Sequence, residues 1–269
     1  MTAQAPAEEL VLHELSAGIL RIVLNSPQTA NAIAPEQRDR IIELFDQADT
    51  DPEVRVVVIA STGRHFCSGA NVSGIGNNGA EKRVGDTMRR IMGGAQQLIA
   101  AVLDCGKPVI AAVQGPAAGL GAHLAFACDL VVAAESAAFI EAFVLRGLVV
   151  DAGGAYLLPR RIGLQKAKEL AFLGDRLPAE EALALGLVNR VVPAEQLRPT
   201  VDEFAQRLAA APTSAIALTK KLFNRSLDAD RDESFLLEGM AQEMQSHAHD
   251  SSEGVAAFME RRAPRFKGW

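Results

Sequence analysis

Two glycine-rich turns each follow an apolar segment and could direct backbone amides at one oxygen atom. The first, TGRHFCSGANVSG, covers residues 62–74, and the second, QGPAAGLGAHLAFACD, covers residues 114–129. A turn from a parallel strand into a helix exposes N–H groups at the positive end of the helix dipole, where an anionic oxygen is stabilised. Two such turns on neighbouring strands predict an oxyanion hole. Each turn taken alone is equally well explained by close packing of strand against helix.

Asp151 is a candidate for proton transfer. It lies in the stretch VVDAGG, and an apolar environment formed by Val149, Val150 and Phe143 would raise its pKa. A carboxylate with a raised pKa suits a base that removes a proton from one carbon atom and returns it elsewhere. The same side chain could cap a helix that starts near Ala152, and one residue can do both.

His123 directly follows the second glycine-rich turn. It could be a neutral or cationic partner of Asp151, hold a water molecule, or simply pack on a helix face. The other histidines, at positions 13, 65, 247 and 249, show no ligand spacing, so we expect no metal site. The three cysteines are widely spaced and form no CxxC pair, which predicts a reducing, cytoplasmic location without disulfides.

Composition and charge exclude several classes of protein. The 269 residues are 49% hydrophobic and 22% charged, which is typical of a soluble globular domain. A net charge of −6 offers no basic field for a nucleic acid, so we expect no such partner. No uninterrupted apolar stretch reaches 18 residues and the N-terminus lacks the pattern of a signal peptide, so we expect no membrane association.

The pattern of apolar residues predicts strands that alternate with helices. A helix is expected at 35–51, and strands at 18–25, 54–61, 107–113 and 129–139. Residues 72–97 read as a loop that becomes helical near Thr87 and could cover a ligand site. After residue 160 the strand signals fade and helical periodicity dominates. We therefore expect an α/β fold with a largely parallel sheet and a helical C-terminal third.

Four stretches together resemble the crotonase superfamily, the enoyl-CoA hydratases and isomerases. They are HFCSGANV, VQGPAAGLGAHLAFACDLVVAAESAAF, DAGGAYLLPRRIG with AEEALALGLVNRVVP, and EGVAAFMERRAPRFKGW. The resemblance implies a ClpP-like spiral of ββα units with the acyl-CoA site in residues 1–200, and helical oligomerisation through residues 201–269. It also implies a homotrimer or dimer of trimers in fatty acid metabolism. No separate cofactor is expected, since coenzyme A would be part of the substrate.

The resemblance also implies roles for individual residues. The backbone N–H groups of Ala70 and Leu120 would form the oxyanion hole. Phe266 and Lys267 would reach the nucleotide end of coenzyme A, in this or a neighbouring subunit, although a solvated basic tail explains them equally well. The residues expected to contact substrate are Arg64, Ser68, Gly119, Phe143, Phe266 and Lys267.

The sequence departs from the family pattern at the two glutamates that hydratases of this superfamily use. The aligned positions are His123 and Phe143, and only a local slip would bring Glu141 into the site. Asp151 matches an aspartate found in several isomerases and a dehalogenase of the superfamily. We therefore expect double-bond isomerisation of an enoyl-CoA, with Asp151 as proton carrier and His123 close by. The alternatives are a hydratase (a lyase) with an atypical base, His123 or Glu141, and a non-catalytic acyl-CoA-binding protein.

Overall fold

A six-stranded sheet forms the centre of the protein. The computed structural model describes residues 9–71 and 83–269. The order across this sheet is β1 (Val11–Ser16), β2 (Ile19–Leu24), β3 (Val56–Ser61), β4 (Val109–Val113), β6 (Leu130–Ala134) and β9 (Arg190–Val192). Among the described strands of this sheet, β1 and β2 form an antiparallel hairpin and the other neighbouring pairs are parallel. The predicted largely parallel sheet is confirmed.

A second, three-stranded sheet is built from short strands. It consists of β5 (Pro116–Ala118), β7 (Ala138–Ile140) and β8 (Arg176–Pro178), with β7 in the middle. The prediction of one strand over 129–139 is therefore wrong, because β6 and β7 belong to different sheets. A turn with exposed side chains at Glu135 and Ser136 separates them, closed by the N–H of Ala137 donating to the carbonyl of Ala134. β5 and β7 position the second glycine-rich turn.

Helices surround both sheets. The first four are α1 (Pro35–Thr50), α2 (Asp86–Met92), α3 (Ala95–Asp104) and α4 (Leu120–Ala127). The next three are α5 (Gly154–Leu173), which is broken at Gly163, α6 (Ala179–Ala184) and α7 (Ala194–Ala209). The last three are α8 (Thr213–Ser226), α9 (Arg231–Ser246) and α10 (His249–Glu260). The helical start expected near Thr87 is confirmed, while residues 72–82 of that predicted loop lie outside the described residues.

β3 shows how the sheet is covered on both faces. Val57 and Ile59 belong to the larger apolar core, which includes residues of α1 and α3. Val56 and Val58 point the other way and belong to a second cluster with residues of α7. A strand buried on both faces needs apolar residues at every position, which explains its continuous VVVI run. The expected boundary at residue 200 falls inside α7, which packs on this sheet.

The C-terminal helices leave much apolar surface exposed. α9 has no buried residue, and Phe235, Leu236, Met240 and Met244 along it are all exposed. The predicted helical C-terminal region is confirmed, although two short strands, β8 and β9, also lie beyond residue 160. β8 and β9 have three residues each, too few for a strand pattern to be visible in the sequence. Within residues 9–71 and 83–269, no helix combines the length and apolarity needed to cross a membrane.

Candidate active site

The chain that follows β3 directs the N–H group of Ala70 away from its bridging partner. Ile33 donates its N–H to the carbonyl of Gly69 (2.8 Å) and accepts from the N–H of Asn71 (2.8 Å), so it bridges Ala70 in parallel. In this pattern the N–H and carbonyl of the bridged residue point to the opposite side. Three residues earlier, Cys67 bridges Ala117 of β5. The N–H of Ala70 therefore faces the side on which β5 lies.

Gly69 makes this change of direction possible. Its φ of +107° lies in the left-handed region that glycine tolerates best. A Cβ atom on Gly69 would lie 3.0 Å from the carbonyl oxygen of Ala118 and 3.8 Å from the backbone nitrogen of Leu120. The first glycine-rich turn thus packs directly against the second.

The second turn presents the N–H group of Leu120. Gly119 (φ +51°, ψ −121°) precedes α4 and donates its own N–H to the carbonyl of Ile140 (2.9 Å). Leu120 is the first residue of α4, so its N–H has no acceptor within the helix. Gly121 lets the turns approach, since a Cβ there would lie 2.3 Å from the carbonyl oxygen of Cys67. The two expected oxyanion donors, Ala70 and Leu120, are therefore brought together.

Asp151 is half-buried in the connection that leads into α5. Burial raises its pKa above the ordinary value, while the positive charges of His123 and Arg90 partly counteract this. The expected cap is wrong: α5 begins at Gly154, and its cap residue Gly153 has no side-chain cap. The turn closes through backbone, with the N–H of Gly154 donating to the carbonyl of Asp151 (3.0 Å).

The apolar surroundings of Asp151 differ in one residue from those expected. Val149 is 86% exposed and does not shield the carboxylate, so this expectation is wrong. Val150 and Phe143 are partly buried. Residues 148–150 form neither helix nor strand, so no regular periodicity sets which of these side chains is covered.

His123 forms a buried pair with Glu141 that the sequence did not reveal. Its Nε2 lies 3.1 Å and 3.0 Å from the two carboxylate oxygens of Glu141, and both side chains are buried. Glu141 directly follows β7, whose last residue Ile140 accepts from Gly119, so Glu141 starts beside α4 without any slip in the alignment. The signal was a single charged residue in the apolar run SAAFIEAF, because a buried carboxylate requires a partner.

Two residues fix the imidazole ring of His123 in place. The ring of Phe143 stacks on it with 5.5 Å between centroids and 13° between planes. Gly154 makes room on another side, because a Cβ atom there would lie 2.2 Å from Cε1 and 2.4 Å from Nε2 of His123. The start of α5, directly after Asp151, is therefore shaped around this histidine.

Other expected substrate contacts lie at the edge of this site or away from it. Gly119 touches the Phe143 ring, since a Cβ there would lie 3.6 Å from it. Arg64 and Ser68 are exposed on the first turn, where the Ser68 hydroxyl donates to the carbonyl of Thr29 (3.4 Å). Their roles stay predictions.

Phe266 and Lys267 lie at the opposite end of the sheet. The N–H of Lys267 donates to Asp250 (2.7 Å), and its carbonyl accepts from Arg55 (2.9 Å), which directly precedes β3. The oxyanion turn follows β3, so a strand of about 20 Å separates them from it. Contact with the far end of a long ligand, in this or a neighbouring subunit, stays a prediction.

Comparison with known proteins agrees with this architecture. The sequence model of the family described as enoyl-CoA hydratase/isomerase matches residues 14–269. The chain has the α/β crotonase fold: it superimposes on the crystal structure of an enoyl-CoA hydratase/isomerase from Cupriavidus metallidurans with a TM-score of 0.91 and 35% identity, covering 98% of each chain. The protein belongs to the enoyl-CoA hydratase/isomerase family, whose enzymes act on acyl-CoA thioesters.

Individual relatives carry both kinds of name. The chain is 35% identical over 262 residues to the 1,2-epoxyphenylacetyl-CoA isomerase of Escherichia coli, covering 97% of this chain and 99% of that protein. It is 36% identical over 253 residues to the enoyl-CoA hydratase ACTT3 of Alternaria alternata, covering 93% and 83%. The family is thus defined, while the choice between the two reactions must come from the site.

Proposed function

We propose that this enzyme isomerises the double bond of an enoyl-CoA, with Asp151 as the proton carrier. The observation that carries the proposal is a half-buried carboxylate with a raised pKa, three residues before Gly154, which lies against the His123 ring in the helix that follows the second turn. The two positions that would hold the glutamates of a hydratase are instead His123 and Phe143. A phenylalanine cannot transfer protons, so a mechanism with one main proton carrier fits these residues best.

The reaction would proceed through a thioester enolate. The ionised Asp151 removes a proton from C2 of a 3-enoyl-CoA, and the electron pair moves onto the thioester oxygen. The N–H groups of Ala70 and Leu120 stabilise that negative charge. The protonated Asp151 then returns the proton to C4, the double bond forms between C2 and C3, and the carboxylate is regenerated. Atoms and charges balance without any further reactant.

The name of one relative supports the isomerase interpretation. The Escherichia coli protein is named as an isomerase of a coenzyme A thioester, and it aligns with nearly the whole chain. We infer an acyl-CoA thioester as substrate, with coenzyme A as part of it and no separate cofactor.

Hydration of a 2-enoyl-CoA is the second candidate, and the His123–Glu141 pair favours it. A carboxylate that holds one nitrogen of an imidazole orients the other nitrogen as a base. Among the described residues, Nδ1 of His123 has no hydrogen-bond partner. Such a nitrogen could direct water.

Two substrates separate these reactions. The enzyme is incubated with a 2-enoyl-CoA and, separately, with a 3-enoyl-CoA, and the absorbance of the conjugated thioester is followed. We expect the 3-enoyl substrate to gain this absorbance. Loss of absorbance from the 2-enoyl substrate would establish hydration instead, and no change with either would indicate a non-catalytic acyl-CoA-binding protein.

Two aspartate variants then test the proton carrier. Asp151→Asn should lower kcat for isomerisation by about 10²–10⁴-fold, the usual contribution of a positioned acid–base group. The matched control is Asp175→Asn, because Asp175 is exposed in the connection between α5 and β8. An Asp151→Asn enzyme with unchanged kcat would exclude Asp151 as the base.

We also propose that the chain forms trimers, or pairs of trimers, in the cytoplasm. The apolar residues of α9, defined above, and Phe258 and Met259 at the end of α10 are all exposed, and exposed apolar surface is typical of an interface between subunits. In such an assembly, Phe266 and Lys267 could reach coenzyme A bound to a neighbour. Sedimentation equilibrium should give three or six times the mass of one chain, and a stable monomer would contradict this.

A further inference from the structure

The His123–Glu141 pair has no part in the single-carrier reaction described above, yet burying these two ionisable side chains is unfavourable for folding. Moving a charged carboxylate and imidazole out of water is strongly unfavourable unless hydrogen bonds replace the lost hydration. Glu141 and His123 are 4% and 0% exposed. A pair held at this cost beside a reaction centre requires an explanation.

Of the two ring nitrogens of His123, Nε2 has a hydrogen-bond partner and Nδ1 has none within the described chain. Both oxygens of Glu141 lie within hydrogen-bonding distance of Nε2 of His123, which fixes the orientation of the ring. Nδ1 is fully buried without a partner within the described chain. Phe143 stacks on one ring face and Gly154 lies against the Cε1–Nε2 edge, so the ring is held on two sides.

The imidazole is close enough to Asp151 to act on it. Gly154 contacts the His123 ring and lies three residues after Asp151, in the turn that this aspartate closes. The positive charge of His123 lowers the pKa of Asp151, against the effect of burial. Arg90 of α2 acts in the same direction, but its side chain is exposed, so dissolved salt screens it far more than it screens the buried imidazole.

We propose that Glu141 and His123 form a positioning dyad that holds Asp151 in its ionised form, ready to accept the substrate proton. Glu141 supplies the negative charge that keeps a positive imidazole stable in the interior, and His123 passes this charge on to Asp151. Three groups on three segments thus act in series: Glu141 after β7, His123 in α4 and Asp151 before α5. This inference rests on the proposed role of Asp151 as the base.

The pH dependence of kcat/KM tests the dyad. Glu141→Gln keeps the size of the side chain but removes its charge, and His123→Gln removes the imidazole. Each should move the acidic limb of the kcat/KM profile upward by about one pH unit, because Asp151 loses a neighbouring positive charge. The double variant should show the shift of His123→Gln alone, since both residues act through one charge. All profiles are measured at low and high salt to remove the contribution of Arg90.

Glu135→Gln is the matched control. Glu135 lies in the turn between β6 and β7, six residues before Glu141, and its side chain is exposed. Its profile should coincide with that of the unmodified enzyme. Unshifted limbs in Glu141→Gln and His123→Gln would overturn the proposal, and so would a shift confined to His123→Gln, because Glu141 would then have no part in it.

A second measurement does not depend on turnover. The carboxyl carbon of Asp151 is followed by ¹³C NMR as the pH is raised, with Asp151→Asn providing the assignment. The titration midpoint should rise by about one pH unit in Glu141→Gln. An unchanged midpoint contradicts the dyad even if no isomerisation is ever detected, whereas a shifted midpoint without isomerisation supports the dyad and rejects the proposed function.

Discussion

Two ion pairs in this protein each hold a buried cationic side chain against a carboxylate, but their surroundings differ. Lys220 of α8 contacts Asp129 (2.9 Å), which directly precedes β6, and His123 of α4 contacts Glu141 (3.0 Å), which directly follows β7. The Nζ of Lys220 also donates to the carbonyls of Val102 (3.0 Å) and Lys107 (3.3 Å). All three ammonium protons therefore have acceptors. His123, in contrast, keeps an unpartnered Nδ1 among the described residues.

This difference indicates that the Lys220–Asp129 pair stabilises the fold, whereas the His123–Glu141 pair belongs to the candidate active site. The carboxylate of Asp129 also has a second partner, because it accepts a hydrogen bond from the N–H of Val109 (2.7 Å) at the start of β4. Burial raises the pKa of Asp129, and the charge of Lys220 is the main influence that lowers it again. The Lys220–Asp129 pair, whose hydrogen-bonding groups all have partners, anchors α8 to the sheet. The His123–Glu141 pair leaves Nδ1 of His123 near the residues that we propose carry out the reaction.

The largest effect should follow from breaking the Lys220–Asp129 pair. Lys220→Met removes the ion-pair partner of the partly buried Asp129 and leaves two backbone carbonyls without their donor, so the free energy of unfolding should fall by about 3–5 kcal/mol. Denaturant titration measures it, and kcat of the folded enzyme should not change. The neighbouring Lys221, which is exposed, provides the control: Lys221→Met should stay within about 0.5 kcal/mol. A loss of kcat in folded Lys220→Met would contradict the claim that this pair stabilises the fold and takes no part in the reaction.

The next effect concerns the donor at the start of α4. Leu120→Pro removes one backbone N–H at the first position of a helix, where proline is well tolerated. Loss of an oxyanion donor should lower kcat by about 10²–10³-fold. Leu120→Ala keeps the N–H and removes most of the same side chain, so the ratio between the two variants isolates the donor. Equal rates in both variants would show that this amide does not bind the developing charge.

A smaller effect should come from closing the space around the His123 ring. Gly154→Ala would place a Cβ atom 2.2 Å from Cε1 of His123, so the ring must move and stability should fall by about 1–3 kcal/mol. The acidic limb of kcat/KM should move upward as it does in His123→Gln. Gly239→Ala in α9 is the control for the pH profile, because a Cβ there meets nothing within 4 Å in the same chain, and its acidic limb should stay in place. Thermal unfolding and the pH profile of kcat/KM measure these effects. A Gly154→Ala protein with unchanged stability and an unshifted acidic limb would contradict the prediction.

The smallest effect is a gain in stability at the proposed base. Burial raises the pKa of Asp151 in the folded chain, so the folded chain holds this proton more tightly than the unfolded chain does. Ionisation therefore costs stability as the pH rises through the range above 3.8, the ordinary value. Asp151→Asn should raise the free energy of unfolding at pH 7 by less than about 1 kcal/mol, since the carboxylate is half-exposed. The gain should shrink towards pH 4, and a gain that grows on acidification would reverse the assigned shift.

Much of this architecture could be predicted because the signals are local. The VVVI run of β3 predicts a strand buried on both faces, and the two glycine-rich turns predict converging amides. The Glu141–His123 contact could not be predicted, because it depends on β7 leaving the main sheet after the turn at Glu135. That departure is set by pairing with β5 and β8, which are three residues long and carry no pattern of their own. Tertiary contacts, rather than sequence periodicity, decide such short strands.

The most direct test of the whole account is a crystal structure of the Asp151→Asn enzyme with a bound 3-enoyl-CoA. We expect the thioester oxygen within hydrogen-bonding distance of the backbone nitrogens of Ala70 and Leu120, with the residue 151 side chain beside C2 and C4 of the acyl group. A thioester oxygen bound elsewhere, or an acyl chain whose C2 and C4 lie out of reach of residue 151, would contradict it.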